Sequence, residues 1–528
     1  MKPFDSSGAF APTVPRGGAA LRSLAVRGAG MNVISGAVSL GIQIAATVVL
    51  ARILAPRDFG LVAMVTTFSL LLANTPTNGF IDSMLQRKEM TEQLASNLFW
   101  ISAAVAVVLT IGFIAAAPFL ARFYGEPTVK TVTWGLSAQV LLTCLPVVHA
   151  ALLRRAMRFP ALARNDIVAR AVGVIVSIAF GMAGWGFWAL VIGQNALALS
   201  TAIGVWMMCG WVPRLPSRKS GTREAIQFAG HISFRYGLNY FVRNFDNLLV
   251  GWRFGANPLG YYKKAYDLFT MSLTQLVSAN ANVAVSALSR VREDRAQYMR
   301  YVLGAMGMLA FLGMGLAGDL TLVGKDVIRV LLGPNWGTAG WIFTFFAPAI
   351  GIMMVNGIHG WIHVSLGHAD RWVRWGIFEW VVTCLLFFAG LPWGPEGIAL
   401  AWCVSFWVLT LPAIWYAGKP IDFGLAPVIS ATWRYTVAAL AAAVAAFLAL
   451  SRLAWLQNAV GASGAVMRIA CTSALFTVLY VGAVVILYGG PAPLRTMRTL
   501  LGELRGRPHR SAAPADTTSG GEAVPSVE

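Results

Sequence analysis

Apolar stretches long enough to cross a lipid bilayer recur along nearly the whole chain, and they limit what it can fold into. A membrane-spanning helix takes about 20 residues, and the sequence has about fourteen such stretches. Charged residues make up 12% of the chain, whereas soluble domains carry about 25%. The sequence therefore predicts an all-α polytopic membrane protein. The stretches lie near residues 31–54, 59–80, 96–120, 128–153, 162–183, 186–211, 230–253, 259–287, 299–323, 337–362, 372–392, 396–417, 427–450 and 463–489.

The strongly basic balance does not indicate a nucleic-acid partner. The net charge is +19, but the basic residues separate apolar runs instead of clustering on a soluble surface. The short connections leave no room for a catalytic domain, and no nucleotide-binding P-loop is present, so we expect a transporter and not an enzyme. His359 and His363 lack the accompanying carboxylate of a zinc-binding helix, and the five cysteines have no metal-ligand spacing. We therefore expect no cofactor and no metal.

The distribution of Lys and Arg predicts the orientation. Most of the 41 basic residues fall on one set of alternate connections together with both chain ends. Since cytoplasmic segments carry the excess of Lys and Arg, both termini are expected in the cytoplasm. On this basis we expect a mobile basic cytoplasmic arm at 1–30, a cytoplasmic basic linker at 212–229 and a disordered cytoplasmic tail at 490–528.

An internal repeat divides the predicted spans into two groups of six. At an offset of 200, Leu54-Ala55-x-x-x-Phe59-Gly60-Leu61 falls on Phe254-Gly255-x-x-x-Leu259-Gly260-Tyr261. Pro146 and Pro348 occupy similar depths in the fourth and tenth spans, where proline kinks a helix. Because each repeat has an even number of spans, the two repeats have the same orientation in the membrane. Transporters with such parallel repeats bind their substrate between the two halves. We expect an N-lobe at 31–211, a C-lobe at 230–417 and two further helices at 418–489.

The seventh span carries more polar side chains than a purely structural membrane helix needs. Such residues are costly in a bilayer and usually face a protein interior or a hydrated cavity. The alternative is that Arg243 and Asp246 neutralise each other as a structural pair. At 100° per residue, one stripe of this span and one stripe of the first span would form two walls of a central cavity. The predicted cavity residues are Arg235, Asn239, Arg243 and Asp246 on the seventh span, and Asn32, Ser39 and Gln43 on the first.

Other polar residues suggest a way to couple transport to an ion. Asp246, Asp267 and Glu379 are the candidate ion-coupling carboxylates, because each lies within an apolar span. We expect Lys263 and Lys264 to anchor the outer end of their span, and Arg170 to lie at the membrane interface.

The run NYFVRNFDNLLVGWRFGANPLGYYKKAYDLF (239–269), followed by SALSRVREDRAQYMRYV (Ser286–Val302), resembles the bacterial polysaccharide exporters. VLARILAPRDFGLVAMV (Val49–Val65) resembles the first loop of the same family. These are lipid-linked oligosaccharide flippases of the multidrug/oligosaccharidyl-lipid/polysaccharide exporter superfamily, of the colanic-acid or exopolysaccharide type. The resemblance covers roughly 31–490.

This resemblance implies a V-shaped pair of six-helix lobes around a cationic cavity in the inner membrane. It implies flipping of undecaprenyl-pyrophosphate-linked repeat units to the periplasmic leaflet, for exopolysaccharide or O-antigen-type synthesis. The implied partners are that lipid-linked oligosaccharide, membrane lipid, and the polysaccharide polymerase and export machinery. A peptidoglycan lipid-precursor flippase and a multidrug or cation antiporter share the architecture and remain alternatives.

Overall fold

The structure, a computed structural model, describes residues 3–10, 18–87, 89–217 and 222–491. The side chains of residues 18–34, 272–283, 286, 369 and 457 lie outside this description. The described chain is almost entirely helical, with two isolated β-bridges near its start. Its α-helices are α1 (Gly18–Ile53), α2 (Pro56–Gln86), α3 (Glu92–Tyr124), α4 (Thr128–Cys144), α5 (Val147–Arg155), α6 (Phe159–Met182), α7 (Phe187–Cys209), α8 (Thr222–Arg243), α9 (Phe245–Phe254), α10 (Ala256–Arg290), α11 (Arg295–Leu332), α12 (Gly337–Phe346), α13 (Ala349–Ser365), α14 (Ala369–Gly390), α15 (Gly394–Gly418), α16 (Leu425–Ser451), α17 (Ala454–Gln457) and α18 (Gly461–Tyr488).

Within the described residues, ten helical stretches are long and apolar enough to cross a membrane. The number is eleven when the bent pair Pro334–Phe346 and Ala349–Ser365 is one span. One of the ten, Asp370–Ile421, contains both α14 and α15. The polytopic all-α prediction is confirmed, while the count of fourteen spans stays a prediction.

The helix is interrupted at both prolines that were predicted to kink their spans. Pro146 lies between α4 and α5, and Pro348 lies between α12 and α13. The second of these pairs bends by 50°. Proline cannot donate the next helical hydrogen bond and its ring clashes with the preceding turn, which explains a break at both places.

The helices of the first half pack mainly on one another, and so do those of the second half. In the first half α6 packs on α7 and α1, while α4 packs on α2, α3 and α7. In the second half α11 packs on α13, α16 and α18, and α15 packs on α13 and α14. The helix α2 joins the two groups, because it lies against both α8 and α10.

The crossing of α2 and α10 is reciprocal. A Cβ atom on Gly60 would lie 1.7 Å from Ala256 O, and a Cβ atom on Gly260 would lie 1.9 Å from Pro56 O. Both distances leave no room for a side chain, so glycine is required at each position. Residue 60 contacts residue 256, and the equivalent residue 260 contacts residue 56, which is the pattern that a two-fold axis produces. The equivalent positions are 200 residues apart, which is the offset of the sequence repeat.

Further contacts close the same end of the molecule, which we call the closed end (51–60, 251–260 and the segments that cover them). The Trp336 indole N–H donates to Ala51 O at 2.8 Å, and Arg52 donates to Val330 O at 2.8 Å. On the opposite side, Trp252 stacks on Phe123 with ring centroids 6.4 Å apart. Each half therefore covers the first-helix end of the other.

The seventh span is broken at Asn244, between α8 and α9. The Asn244 side-chain amide donates to Tyr240 O at 2.9 Å, while its backbone N–H bonds to Phe241 O instead. An asparagine that competes in this way for a backbone carbonyl disrupts the helical ladder. Before the break α8 packs mainly on α2 of the first half, and after it α9 packs on α10 and α15 of the second half as well as on α2.

The start of the chain differs from the predicted mobile arm. Residues 4–10 fold back on themselves, and they join the loop before α3 through Phe10 N–H to Met90 O at 3.0 Å and Glu92 N–H to Gly8 O at 2.8 Å. Phe4 packs on Trp211, and α1 begins at Gly18. Phe4 and Phe10 thus pack against the core of the first half, while Asp5, Ser6 and Ser7 are exposed.

The connection after α7 also lies on the first half. Asn97 on α3 accepts from the Ser217 N–H at 2.9 Å and donates to Ser217 O at 2.6 Å. Trp100 donates to Arg214 O at 2.9 Å. Residues 211–217 therefore follow the start of α3, and α8 begins at Thr222, inside the predicted linker.

Candidate functional site

A cavity of about 400 Å³ lies directly beneath the closed end. Its walls come from α1, α2, α6 and α7 of the first half and from α8 and α10 of the second. Its lining includes both polar or charged and aliphatic side chains. The lining residues with polar side chains are Ser39, Gln43, Thr47, Thr66, Thr67, Arg170, Gln194, Tyr240, Asn244, Lys263, Lys264 and Asp267.

The wall formed by α1 has neutral polar side chains. Ser39, Gln43 and Thr47 recur every four residues, which places them on one face of the helix. The Ser39 hydroxyl donates to Asp166 Oδ2 at 3.3 Å. The same carboxylate oxygen accepts from Arg170 Nε at 2.8 Å. The arginine that we expected at the membrane interface thus lines the cavity.

The opposite wall is cationic. Lys263 and Lys264 on α10 both line the cavity, so the expectation that they only anchor the helix end is incomplete. Lys263 forms an ion pair with Asp267, four residues further along the helix. Lys264 places its Nζ 4.3 Å from the centre of the Phe59 ring.

The three cations differ in how far they are neutralised. Arg170 pairs with Asp166, and Lys263 pairs with Asp267. Lys264 forms no ion pair with any residue that the structure describes. Among the described residues, its ammonium group contacts the Phe59 ring and no carboxylate.

All four of the predicted residues on the seventh span lie outside this cavity. Arg235, Asn239 and Arg243 are exposed on α8, while other residues of that helix pack on α2. Tyr240 and Asn244 of the same segment do line the cavity. The break in the seventh span therefore lies at the cavity, whereas the arginines before the break do not.

Asp246 is buried in the second half. Its carboxylate accepts from Tyr262 Oη at 2.8 Å and from Trp402 Nε1 at 3.0 Å. Asn247 donates to it at 3.3 Å. Arg243 forms no ion pair with it, so the alternative of an Arg243–Asp246 structural pair does not describe the geometry. The partners of Asp246 among the described residues are uncharged donors.

The remaining predicted residues are spread out. Asp267 lines the cavity, whereas Glu379 is half-buried on α14, away from it. The side chain of Asn32 lies outside the described residues. The internal repeat could have predicted that Lys263 lines the cavity, because Lys263 lies 200 residues after Ala63, which also lines it.

The sequence matches a known protein family. A family described as "Polysaccharide biosynthesis protein" matches residues 49–339, more than half of the chain. The chain is 21% identical to the succinoglycan biosynthesis transport protein ExoT of Rhizobium meliloti, over 62% of this chain and 66% of that protein. It is 24% identical to the teichuronic acid biosynthesis protein TuaB of Bacillus subtilis, over 61% of this chain and 67% of that protein. The chain therefore spans about two thirds of the length of these relatives.

Solved structures share the fold at low sequence identity. The lipid II flippase MurJ, in an inward closed conformation, superposes with a TM-score of 0.66 at 11% identity, over 84% of this chain and 97% of that one. An inward-facing multidrug resistance MATE family transporter of the MOP superfamily gives 0.59 at 14% identity, over 73% and 94%. The fold is that of a multi-pass helical membrane protein, and the chain belongs to the polysaccharide biosynthesis protein family.

Proposed function

We propose that this protein flips undecaprenyl-pyrophosphate-linked oligosaccharide units from the cytoplasmic to the periplasmic leaflet of a bacterial inner membrane, for exopolysaccharide or O-antigen-type synthesis. The observation that carries this proposal is the cationic wall of the cavity, where Lys264 has no ion-pair partner among the described residues. A pyrophosphate ester is an anion that cannot cross hydrocarbon without a polar environment. The cavity offers it cations, hydroxyls and amide groups.

The proposed orientation follows the positive-inside rule, with both termini in the cytoplasm. The closed end then faces the periplasm, and the cavity receives the head group from the cytoplasmic side. The lipid chain stays in the bilayer while the sugar occupies the space between the halves. Opening of the α2–α10 crossing would release the head group to the other side, where polymerase and export machinery take it.

Arg235, Asn239 and Arg243 keep a place in this proposal. They lie on the face of α8 that α2 does not cover. An arginine fork binds two phosphate oxygens at once. We propose that they meet the head group as it approaches, before it reaches Lys264 in the cavity.

Replacement of Lys264 tests the proposal. Lys264→Gln removes the free cation while keeping a long polar side chain, and a charge-assisted hydrogen bond contributes about 1.5–3 kcal/mol. We therefore expect affinity for farnesyl pyrophosphate, a soluble prenyl pyrophosphate, to fall by about 10- to 100-fold. Titration calorimetry of the detergent-purified protein measures this affinity.

Lys130→Gln is the matched control, because Lys130 is exposed and packs over Trp134 away from the cavity. It should bind the probe as the wild type does. Equal affinity of the Lys264→Gln and wild-type proteins would contradict the cationic-wall assignment. Tight binding of an organic cation in place of the pyrophosphate would favour the antiporter alternative.

A further inference from the structure

The cavity and the closed end share one aromatic ring, that of Phe59. This residue lies in the first turn of α2, next to Gly60 at the helix crossing, and it lines the cavity. Lys264 Nζ lies 4.3 Å from the centre of the Phe59 ring. Trp336 meets the same ring in a T-shaped arrangement, with ring centroids 5.4 Å apart. One side chain of the first half thus contacts two side chains of the second half.

The contact with Trp336 belongs to the closed end. The Trp336 side chain is 0% exposed, and its indole N–H donates to Ala51 O at 2.8 Å. Its ring also packs on Tyr261, with centroids 5.8 Å apart. Aromatic pairs in this geometry stabilise a structure beyond the area that they bury. Because Ala51 and Phe59 belong to the first half, their contacts with Trp336 must break when the closed end opens.

The contact with Lys264 belongs to the cavity. Both Phe59 and Lys264 line it, and Trp336 does not. A charge-assisted hydrogen bond to a phosphate stabilises an ammonium group more than an aromatic ring does. An anionic head group in the cavity therefore competes with the Phe59 ring for the Lys264 ammonium. No ion pair among the described residues opposes this competition at Lys264.

The internal repeat contains an apolar counterpart of this contact. Leu259 lies 200 residues after Phe59, and Met64 lies 200 residues before Lys264. Side-chain atoms of Leu259, Met64 and Tyr124 all lie within 3.4 Å of a Cβ atom placed at position 251. These three residues do not line the cavity. Of the two equivalent contacts between the halves, the one at Phe59 contains a charge and reaches the cavity.

We propose that Phe59 is a latch between the cavity and the closed end. Lys264 and Trp336 hold its ring until an anionic head group draws the Lys264 ammonium away, and the loss of this contact favours opening of the closed end. Phe59 is thus a positioning residue that acts through its two neighbours. The proposal rests on the proposed function for the nature of the anion.

Linkage sets the size of the effect. A ligand that binds more tightly once the Lys264–Phe59 contact is broken shifts the protein towards the open state by the same factor. A cation–π contact of ordinary strength gives a factor of about 2- to 30-fold. The latch therefore biases the conformational equilibrium, and the remaining contacts of the closed end still have to separate.

The reactivity of a thiol at position 51 tests the latch, because Ala51 is buried at the closed end. Every protein in the test carries Ala51→Cys, and peptide mass spectrometry distinguishes this thiol from the native cysteines. Without a ligand, Lys264→Gln should raise the rate of reaction with a membrane-impermeant maleimide by about 2- to 30-fold. In a Phe59→Leu protein, the same Lys264→Gln change should leave the rate unchanged.

Phe59→Leu is a conservative choice, since leucine occupies the equivalent position 259. Phe59→Met is the second variant if Phe59→Leu does not fold. A purely structural role of Phe59 would leave the effect of Lys264→Gln intact in both backgrounds, so the double-mutant comparison separates the latch from simple packing.

Farnesyl pyrophosphate at saturating concentration tests release by a ligand. It should raise the rate at position 51 in the otherwise wild-type protein by about 2- to 30-fold. The Phe59→Leu protein should bind the probe in titration calorimetry without this rise. Met64→Leu is the matched control, because it changes the position equivalent to Lys264 and nearly conserves the side-chain volume. The probe should raise its rate as in the wild type.

Three results would overturn the latch: no faster reaction in Lys264→Gln, additive effects of Lys264→Gln and Phe59→Leu, or a bound probe that leaves the wild-type rate unchanged. A wild-type protein that does not bind the probe would refute the proposed function instead. The comparison without ligand then decides the latch, because it supports the latch when the effect of Lys264→Gln depends on Phe59 and overturns it otherwise.

Discussion

At the scale of single residues, Asp246 shows how a membrane span can carry a charged group for a reason other than ligand contact. Its carboxylate is 0% exposed and accepts from Tyr262 and Trp402, which belong to α10 and α15. The carboxylate therefore links the second part of the seventh span to two neighbouring helices. Sequence periodicity located the residue within the span but could not show which neighbours would surround it.

Replacement of Asp246 should destabilise the fold. Asp246→Ala leaves the Tyr262 hydroxyl and the Trp402 N–H without an acceptor, and each loss costs about 1–3 kcal/mol. Asp246→Asn keeps one acceptor oxygen and should cost less. Thermal unfolding of the detergent-solubilised protein measures the order: wild type, then Asn, then Ala.

Asp370→Ala provides the control for this series. Asp370 forms an exposed ion pair with Arg374, at side-chain exposures of 61% and 70%, and such pairs contribute little. An Asp246→Ala protein that unfolds at the temperature of Asp370→Ala would contradict the buried network.

The cavity residues show which part of the site the sequence could predict. Ser39 and Gln43 line the cavity because a four-residue period fixes a helix face whatever its neighbours are. Asn239 and Arg243 lie 200 residues later, yet they lie outside the cavity, because α8 packs on α2 and departs from the arrangement of α1. Periodicity predicts a face, and only tertiary packing decides what that face meets.

At the scale of helices, the break in the seventh span was not predicted. Neither proline nor glycine marks it, in contrast to Pro146 and Pro348, and the cause is the side-chain bond of Asn244 to Tyr240 O. The break lets α8 lie along α2. Small residues make this possible, since a Cβ atom on Gly79 would lie 2.1 Å from Ser233 Oγ and 2.5 Å from Ala229 O.

A larger residue at position 79 should push α8 away from α2. The hydroxyl of Ser233 can rotate, but the Ala229 carbonyl belongs to the backbone, and overpacking costs about 1–3 kcal/mol. With cysteines at Thr75 and Gly237, which face each other, Gly79→Val should lower the cross-linked fraction by about tenfold. Gel mobility after mild oxidation gives this fraction.

Gly112→Val is the matched change on α3, where a Cβ atom would meet nothing within 4 Å. It should leave the cross-link unchanged. Unimpaired cross-linking in the Gly79→Val protein would show that α8 does not depend on this close approach.

At the scale of the whole molecule, the reciprocal contacts of the closed end connect the two halves. In the proposed function, release of a substrate at this end requires that these contacts separate. A bis-methanethiosulfonate reagent can join cysteines at Arg52 and Val330, and so α1 to the second half, because Arg52 Nη2 lies 2.8 Å from Val330 O. We expect this cross-link to reduce polysaccharide export to background, and a reductant that cleaves it to restore export.

Cysteines at Arg57 and Glu126 provide the control, because this ion pair lies at the same end but within the first half. The same cross-link at this pair should leave export unchanged. Continued export with the 52–330 cross-link in place would mean that the closed end does not open during transport.

The hydrogen bonds between residues 214–217 and α3 also limit how far the start of α8 can move. Ser217 and Thr222 both bond to Asn97, so the start of α8 is held beside α3 in this conformation. Once the Thr222 bond breaks, only the chain from 217 to 222 connects the two, and at about 3.6 Å per residue it reaches roughly 18 Å. While Ser217 stays bonded to Asn97, this length is the largest distance by which the start of α8 can move away from Ser217.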